Sequence, residues 1–171
     1  MQGQHLNYDV VGGTHPDQEA WTDRFPGYRR YERTINVGQG PERWVTVAAG
    51  VLAWQVKTRS GFAVEPDAAA QADADYLLVV TAGPLTVREP VRVIQVVDLP
   101  ARRGFSYGTR HGHPVSGEEA FITHLTPDEN VWLTLRSLTR PAPGAWRWAF
   151  PGLLIAQHFY RHRYSRAMRP T

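Results

Sequence analysis

Acid, base and ligand groups gather in one stretch, Arg103-Gly-Phe-Ser-Tyr-Gly-Thr-Arg-His-Gly-His-Pro-Val-Ser-Gly-Glu-Glu-Ala-Phe121. His111 and His113 flank a glycine, and Glu118 and Glu119 follow within a few residues. Imidazole and carboxylate suit zinc or iron, so His111-x-His113 with Glu118 or His124 could form a ligand set. The helical H-E-x-x-H pattern is absent, however, and a histidine in a loop of glycine and proline more often stabilises a turn or lies exposed. No metal or other cofactor is therefore expected. A two-carboxylate glycosidase mechanism needs both acids flanking one bond. Neighbours on a strand point to opposite faces, so Glu118 and Glu119 are not expected to form such a pair. Ser106 and Ser116 lack a G-x-S-x-G elbow. Gly38-Gln-Gly40 lacks the further glycine and the lysine of a phosphate cradle, and it reads as a strand-to-helix turn.

These groups need elements to hold them. Tyr28–Val37 is rich in aromatic and β-branched residues and predicts a strand. Pro41 suits a first helical position, and Trp44, Val47, Ala48, Val51, Leu52, Gln55 and Val56 recur at helical spacing up to Gly61. This predicts one helix about 27 Å long at about 1.5 Å per residue. Strands follow at Phe62–Val64, Tyr76–Ala82, Leu85–Asp98, Arg102–Thr109, Glu118–Leu125 and Val131–Thr139. Asp67–Asp75 reads as an exposed connection. Pro90 predicts an edge or a bulge within its strand. Pro141-Ala-Pro143-Gly144 ends the strands. A last helix spans about Trp146–Met168, with Pro151 expected to kink or restart it. Its buried stripe reads Leu153, Leu154, Gln157, Tyr160, Tyr164 and Met168.

A run of strands after a helix points to the α+β class, with a curved antiparallel sheet of six or seven strands wrapped on a long C-terminal helix. Strand alternation assigns faces. Phe105, Tyr107 and Thr109 read inward, as do Glu119, Phe121, Thr123 and Leu125, and Val91, Val93, Gln95 and Val97. The inner polar set is then Tyr107, Glu119, Thr123 and Gln95. A carboxylate taken inside must be paired or neutralised, which makes Glu119 a candidate acid or base.

The 171 residues suit one domain, 1–171. With 42% hydrophobic and 20% charged residues, the composition is globular rather than disordered. Cysteine is absent, which excludes disulfides and thiolate chemistry. The N-terminus carries no basic region followed by an apolar run, so no secretory signal is expected. The longest apolar-leaning run, Val45–Val56, is too short to span a bilayer. A cytoplasmic protein without stable membrane insertion is expected. Net charge is +3, with eighteen Arg against one Lys. That skew reads either as coding bias or as anion recognition by guanidinium forks. The C-terminal helix holds arginines, but its tyrosines fall on the buried stripe, so no nucleic-acid face is expected. The six tryptophans could line an apolar cavity or simply fill the core.

Two resemblances extend this reading. The element order is similar to the helix-grip arrangement of Bet v 1, START and polyketide-cyclase-like proteins; that likeness implies a fold and not an activity. The sequence also resembles the domain-of-unknown-function family nineteen-ninety. The residues that carry the likeness are Val11-Gly-Gly-Thr14, Pro26-Gly-Tyr28, Val37-Gly-x-Gly40 before a helix with Leu52-x-Trp54, and Arg140-Pro141. The longest is Gly104-Phe-x-Tyr-Gly-Thr-x-x-Gly-His-Pro-x-x-Gly-Glu-Glu-x-Phe121. The family implies one domain over nearly the whole chain and no established activity. Its motif covers Tyr107, His113, Glu118 and Glu119 but not His111.

Three functions stay open. The first is a small-molecule binding domain for a hydrophobic or amphipathic ligand, with Tyr107, His113, Glu118, Glu119, Thr123 and Gln95 as candidate ligand-binding residues. The second is an enzyme on the same scaffold, with Tyr107, His113 and Glu119 as acid–base groups. The third is a structural or interaction module, whose glutamates accept backbone N–H groups of the loop. Oligomeric state is open.

Overall fold

The structure, a computed structural model, describes residues 5–170. Readings that touch residues 1–4 or the Trp146 side chain lie outside the described set. Seven strands form one antiparallel sheet: β1 (Arg29–Gln39), β2 (Phe62–Glu65), β3 (Asp75–Ala82), β4 (Leu85–Leu99), β5 (Arg102–Thr109), β6 (Val115–Leu125) and β7 (Asn130–Pro141). Their spatial order is β1-β7-β6-β5-β4-β3-β2. Helices α1 (Pro41–Leu52) and α2 (Gln55–Thr58) connect β1 to β2, and α3 (Trp146–Ala167) follows β7. α1 packs on β5 and β6, while α3 lies against α2, β6 and β7. This is the helix-grip arrangement, α+β with the sheet wrapped on the terminal helix.

The single helix expected from Pro41 to Gly61 is corrected to two. The chain breaks at Trp54, which takes a left-handed conformation (φ 60°, ψ 16°). The apolar periodicity continues through the break, so the pattern did not register it. A left-handed residue other than glycine costs about 1–2 kcal/mol. Burial of the indole offsets this: Trp54 is 1% exposed and sits 4.5 Å from Phe105, 4.9 Å from Tyr76 and 5.5 Å from Tyr107, between ring centroids. The turn also re-aims α2, which carries Lys57 into the interior.

β4 is an inner strand of the sheet. Pairing with β5 begins at Val91, and the Pro90 carbonyl accepts Arg110 N–H, so the missing proline N–H lies where the β5 ladder has ended. The bulge falls farther on, between Val93 and Gln95. It reverses alternation: Val91, Val93 and Val96 meet the inner core, and Gln95 pairs with Ser106 on the opposite face. The inward assignment of Gln95 and Val97 is corrected accordingly. α3 runs as one helix through Pro151.

The two faces of the sheet are covered differently. The inner face packs Phe105, Tyr107, Phe121, Leu133 and Leu135 against Val47, Val51, Trp54, Tyr164 and Met168. The outer face is covered by the segment before β1. Tyr8 and Trp21 are buried there, and Arg136 reaches out from β7 to the carbonyls of Thr14, His15 and Glu19 and to Glu32.

Candidate functional site: a cavity beneath the C-terminal helix

The β5–β6 hairpin explains the glycines of the central motif. Tyr107 pairs across the ladder with Glu119, and Gly108 pairs with Glu118. A Cβ on Gly108 would lie 2.1 Å from the Tyr8 hydroxyl, so only glycine lets Tyr8 cross β5 at that point. Gly117 has φ +150°, and a Cβ there would lie 1.8 Å from the Leu138 carbonyl oxygen. Thr109 closes the loop: its hydroxyl accepts Gly117 N–H at 2.8 Å and donates to Asn7.

Alternation then sends the two glutamates to opposite sides. Glu118, 1% exposed, accepts Tyr8 O–H and Gly12 N–H at 2.8 Å, Thr14 N–H at 3.1 Å, and the Thr14 hydroxyl. Burial, with the Glu118 charge beside it, pushes the Tyr8 phenol far up, so it stays a donor. This carboxylate holds the N-terminal segment to the sheet, and Glu118 also belongs to the wall of the cavity described below.

Glu119 faces the interior. Its Oε2 accepts the Tyr107 hydroxyl and lies 3.0 Å from Lys57 Nζ. Lys57 also donates to Tyr164 O–H at 2.6 Å. Four rings surround the ammonium, with centroids at 4.6 Å (Phe62 and Tyr164), 5.3 Å (Tyr107) and 5.7 Å (Phe121). Burial, reinforced by the Glu119 charge, raises Tyr107 and Tyr164 well above the usual phenol range. Both remain protonated; Tyr107 donates to Glu119, and Tyr164 accepts from Lys57. Glu119 Oε1 has no protein donor among the described residues.

A second polar pair faces the same space. His113 Nδ1 accepts Val115 N–H at 3.0 Å, which places the imidazole proton on Nε2, 3.6 Å from Glu89 Oε2. Burial alone would raise Glu89, but the facing His113 and Lys57 hold it below the ordinary glutamate range. Between these pairs and α3 lies a cavity of about 600 Å³. Phe62, Val80, Val87, Leu153, Ala156 and Tyr160 give it mostly apolar walls. Ser137 and Thr139 of β7 add hydroxyls, and Thr139 Oγ1 is buried with no hydrogen-bond partner among the described residues.

Of the sequence candidates, the structure brings together Tyr107, His113 and Glu119. Thr123 lies outside the cavity wall, and its hydroxyl donates to the Trp132 carbonyl at 2.8 Å. Gln95 is on the other face. His111 is exposed, and His124 sits at the far end of β6 beside Arg102 and Trp132. Among the described residues no cluster of three His, Cys, Asp or Glu could hold a metal ion, and no helix is long and apolar enough to cross a membrane. Sequence reasoning missed Lys57, Glu89 and Tyr164. Lys57 is the only lysine in the chain, a signal that was available.

Comparison with known proteins adds the lineage. A family model described as Domain of unknown function (DUF1990) matches residues 7–167. The chain belongs to this family. A UPF0548 protein of Deinococcus radiodurans is 39% identical over 77 residues, covering 45% of this chain and 39% of that protein. A UPF0548 protein of Arabidopsis thaliana is 26% identical over 135 residues, covering 75% and 66%. The matched region is thus less than two thirds of either relative's length. A crystal structure of a hypothetical protein from Helicobacter pylori superposes with TM-score 0.56 at 5% identity, covering 82% of this chain and 84% of that one. At that identity the likeness concerns the fold alone.

Proposed function

We propose that this family member binds a small amphipathic molecule in the cavity between the sheet and α3. The observation that carries the reading is an apolar-walled space of about 600 Å³ with buried polar groups converging on it. That volume lies within the usual range for small-ligand sites. Glu119 Oε1 and Thr139 Oγ1, each without a protein partner among the described residues, supply hydrogen bonds that a packed core would have satisfied. The ligand's apolar body rests on Phe62, Leu153 and Tyr160. A hydroxyl or amine on it donates to Glu119 Oε1, and an acceptor takes the His113 Nε2 proton. Native mass spectrometry of the protein purified from its own host tests this. A stoichiometric bound organic molecule, lost on Ala156→Trp, is expected. Uniformly apo protein that also fails to bind phenylnaphthylamine, a neutral apolar dye, refutes it.

An enzymatic reading has one observation in its favour: Tyr107 and His113 line the same cavity. It assigns acid–base work to the His113–Glu89 pair, because the single Tyr107 proton is already donated to Glu119. Turnover of the identified ligand, abolished by His113→Gln with binding retained, separates catalysis from binding.

A further inference from the structure

We propose a second site, an anion pocket at the C-terminal end of α3 that takes a phosphate-bearing ligand. Arg43 and Arg59, from the segment containing α1 and α2, and Arg163, Arg166 and Arg169, from α3 and the residues after it, line one surface depression of about 650 Å³. No carboxylate lines it among the described residues.

A structural role accounts for two of the five. Arg43 donates to the Val37 carbonyl at 2.7 Å and to the Met168 carbonyl, and Arg59 donates to the Ala167 carbonyl at 3.2 Å. The bonds to Met168 and Ala167 satisfy carbonyls that the end of α3 leaves open, and the bond to Val37 ties Arg43 to β1. Arg163, Arg166 and Arg169 make no hydrogen bond or ion pair through their side chains among the described residues; Arg163 only approaches the Phe159 ring, at 5.6 Å. Elsewhere Arg30, Arg92, Arg103, Arg110, Arg136 and Arg140 each meet a carboxylate, while Arg24, Arg29, Arg33, Arg88 and Arg147 have no side-chain partner among the described residues; what marks the end of α3 is that three such arginines share one depression. Like charges crowded together raise the free energy of the protein without ligand. Burial first, and the neighbouring Arg59 charge second, hold Arg43 below the usual guanidinium range. A multiply charged anion relieves that repulsion. Guanidinium forks match phosphate oxygens in bidentate geometry, which makes phosphate the chemistry of choice.

Phosphate can arrive free or as a lipid headgroup. The outer line of α3 bears on the choice, because Trp148, Ile155 and Phe159 are 90%, 74% and 56% exposed and lead at helical spacing to Arg166. The experiment titrates the full chain with inorganic pyrophosphate, and separately with vesicles of phosphatidylglycerol or phosphatidylcholine. Saturable pyrophosphate binding that weakens with added salt, and weakens at least tenfold in R163Q/R166Q, establishes the site for a free ligand. Binding only to phosphatidylglycerol vesicles, lost in R163Q/R166Q and reduced in Trp148→Ser, establishes it for a headgroup. Neither probe binding, or equal binding by wild type and R163Q/R166Q, overturns the proposal. Melting temperatures confirm that the variant is folded; Arg169→Gln, beyond the last residue of α3, serves as the second variant with a smaller expected loss. Phenylnaphthylamine binding in the cavity stays unchanged in each, which keeps this site's failure distinct from that of the cavity.

Discussion

On the outer face of β6, Glu118 has four protein donors on its two oxygens. One residue later, on the inner face, Glu119 has two donors on one oxygen and, among the described residues, none on the other. The strand is the same and the residue type is the same. Only the pleat separates them, together with what covers each side. A coil segment arrives over the outer face with backbone N–H groups to satisfy, and Glu118 gathers them. The inner face meets α2 and α3, whose backbones are already hydrogen-bonded within the helices, so Glu119 is met by side chains and by open volume. A completed carboxylate fixes a fold; an incomplete one beside a cavity offers a bond to something else. The paired acids thus divide the structural and binding hypotheses between two faces of one hairpin.

The comparison breaks most visibly at Glu118. Glu118→Ala strands the Gly12 and Thr14 amides and the Tyr8 hydroxyl, and should cost about 3–5 kcal/mol. Urea denaturation measures the loss, and proteolysis within residues 9–25 of the native protein should accelerate because that segment loses its tether. Glu119→Gln should cost less, about 1–3 kcal/mol, because Gln still accepts from Lys57 and Tyr164 keeps its bond to the ammonium. Its signature is the partner dependence. Lys57→Met combined with Glu119→Leu should be more stable than either single change, since replacing both members of a buried ion pair costs less than leaving one unpaired. Strict additivity of the two would show that the pair is not coupled. A third change acts on the inner face alone: Ala156→Trp should weaken phenylnaphthylamine binding at least tenfold while the urea midpoint moves little.

The division between Glu118 and Glu119 was legible in the sequence because a strand period of two leaves no choice once the strand is recognised. The α3 stripe of Leu153, Gln157, Tyr160 and Tyr164 was legible for the same reason at a period of 3.6. What failed had no periodic signature. The break at Trp54 is imposed by tertiary packing of an indole, against local preference. The Val93–Gln95 bulge inserts a residue without a glycine to announce it, and so Gln95 changed face. Lys57 and Glu89 come from elements remote in sequence from the hairpin, and nothing local couples them to Glu119. Glu118's partners lie in a segment with little periodicity, which can be placed only once the acceptor it binds is known.

The smallest effect expected is at Glu89, and it sharpens the comparison by asking whether the inner face holds charge that the outer face does not need. Glu89 is held below the ordinary glutamate range by His113 and Lys57 against the opposing effect of burial. A carboxyl whose folded value is depressed binds its proton less readily folded than unfolded. It therefore contributes stability above the unfolded value of about 4.3, and that contribution fades as pH falls through the lower folded value. The melting-temperature difference between wild type and Glu89→Gln should shrink as pH falls below about 5. A difference that grows as pH falls below about 5 would mean that the folded protein takes up the Glu89 proton more readily than the unfolded chain, and Glu89 could not then be a charged group in the wall of the cavity. Dye binding measured over the same range separates the two faces, because the Glu118 carboxylate is taken up by Tyr8, Gly12 and Thr14, and its loss would expose residues 9–25 to protease before it changes the binding of the dye.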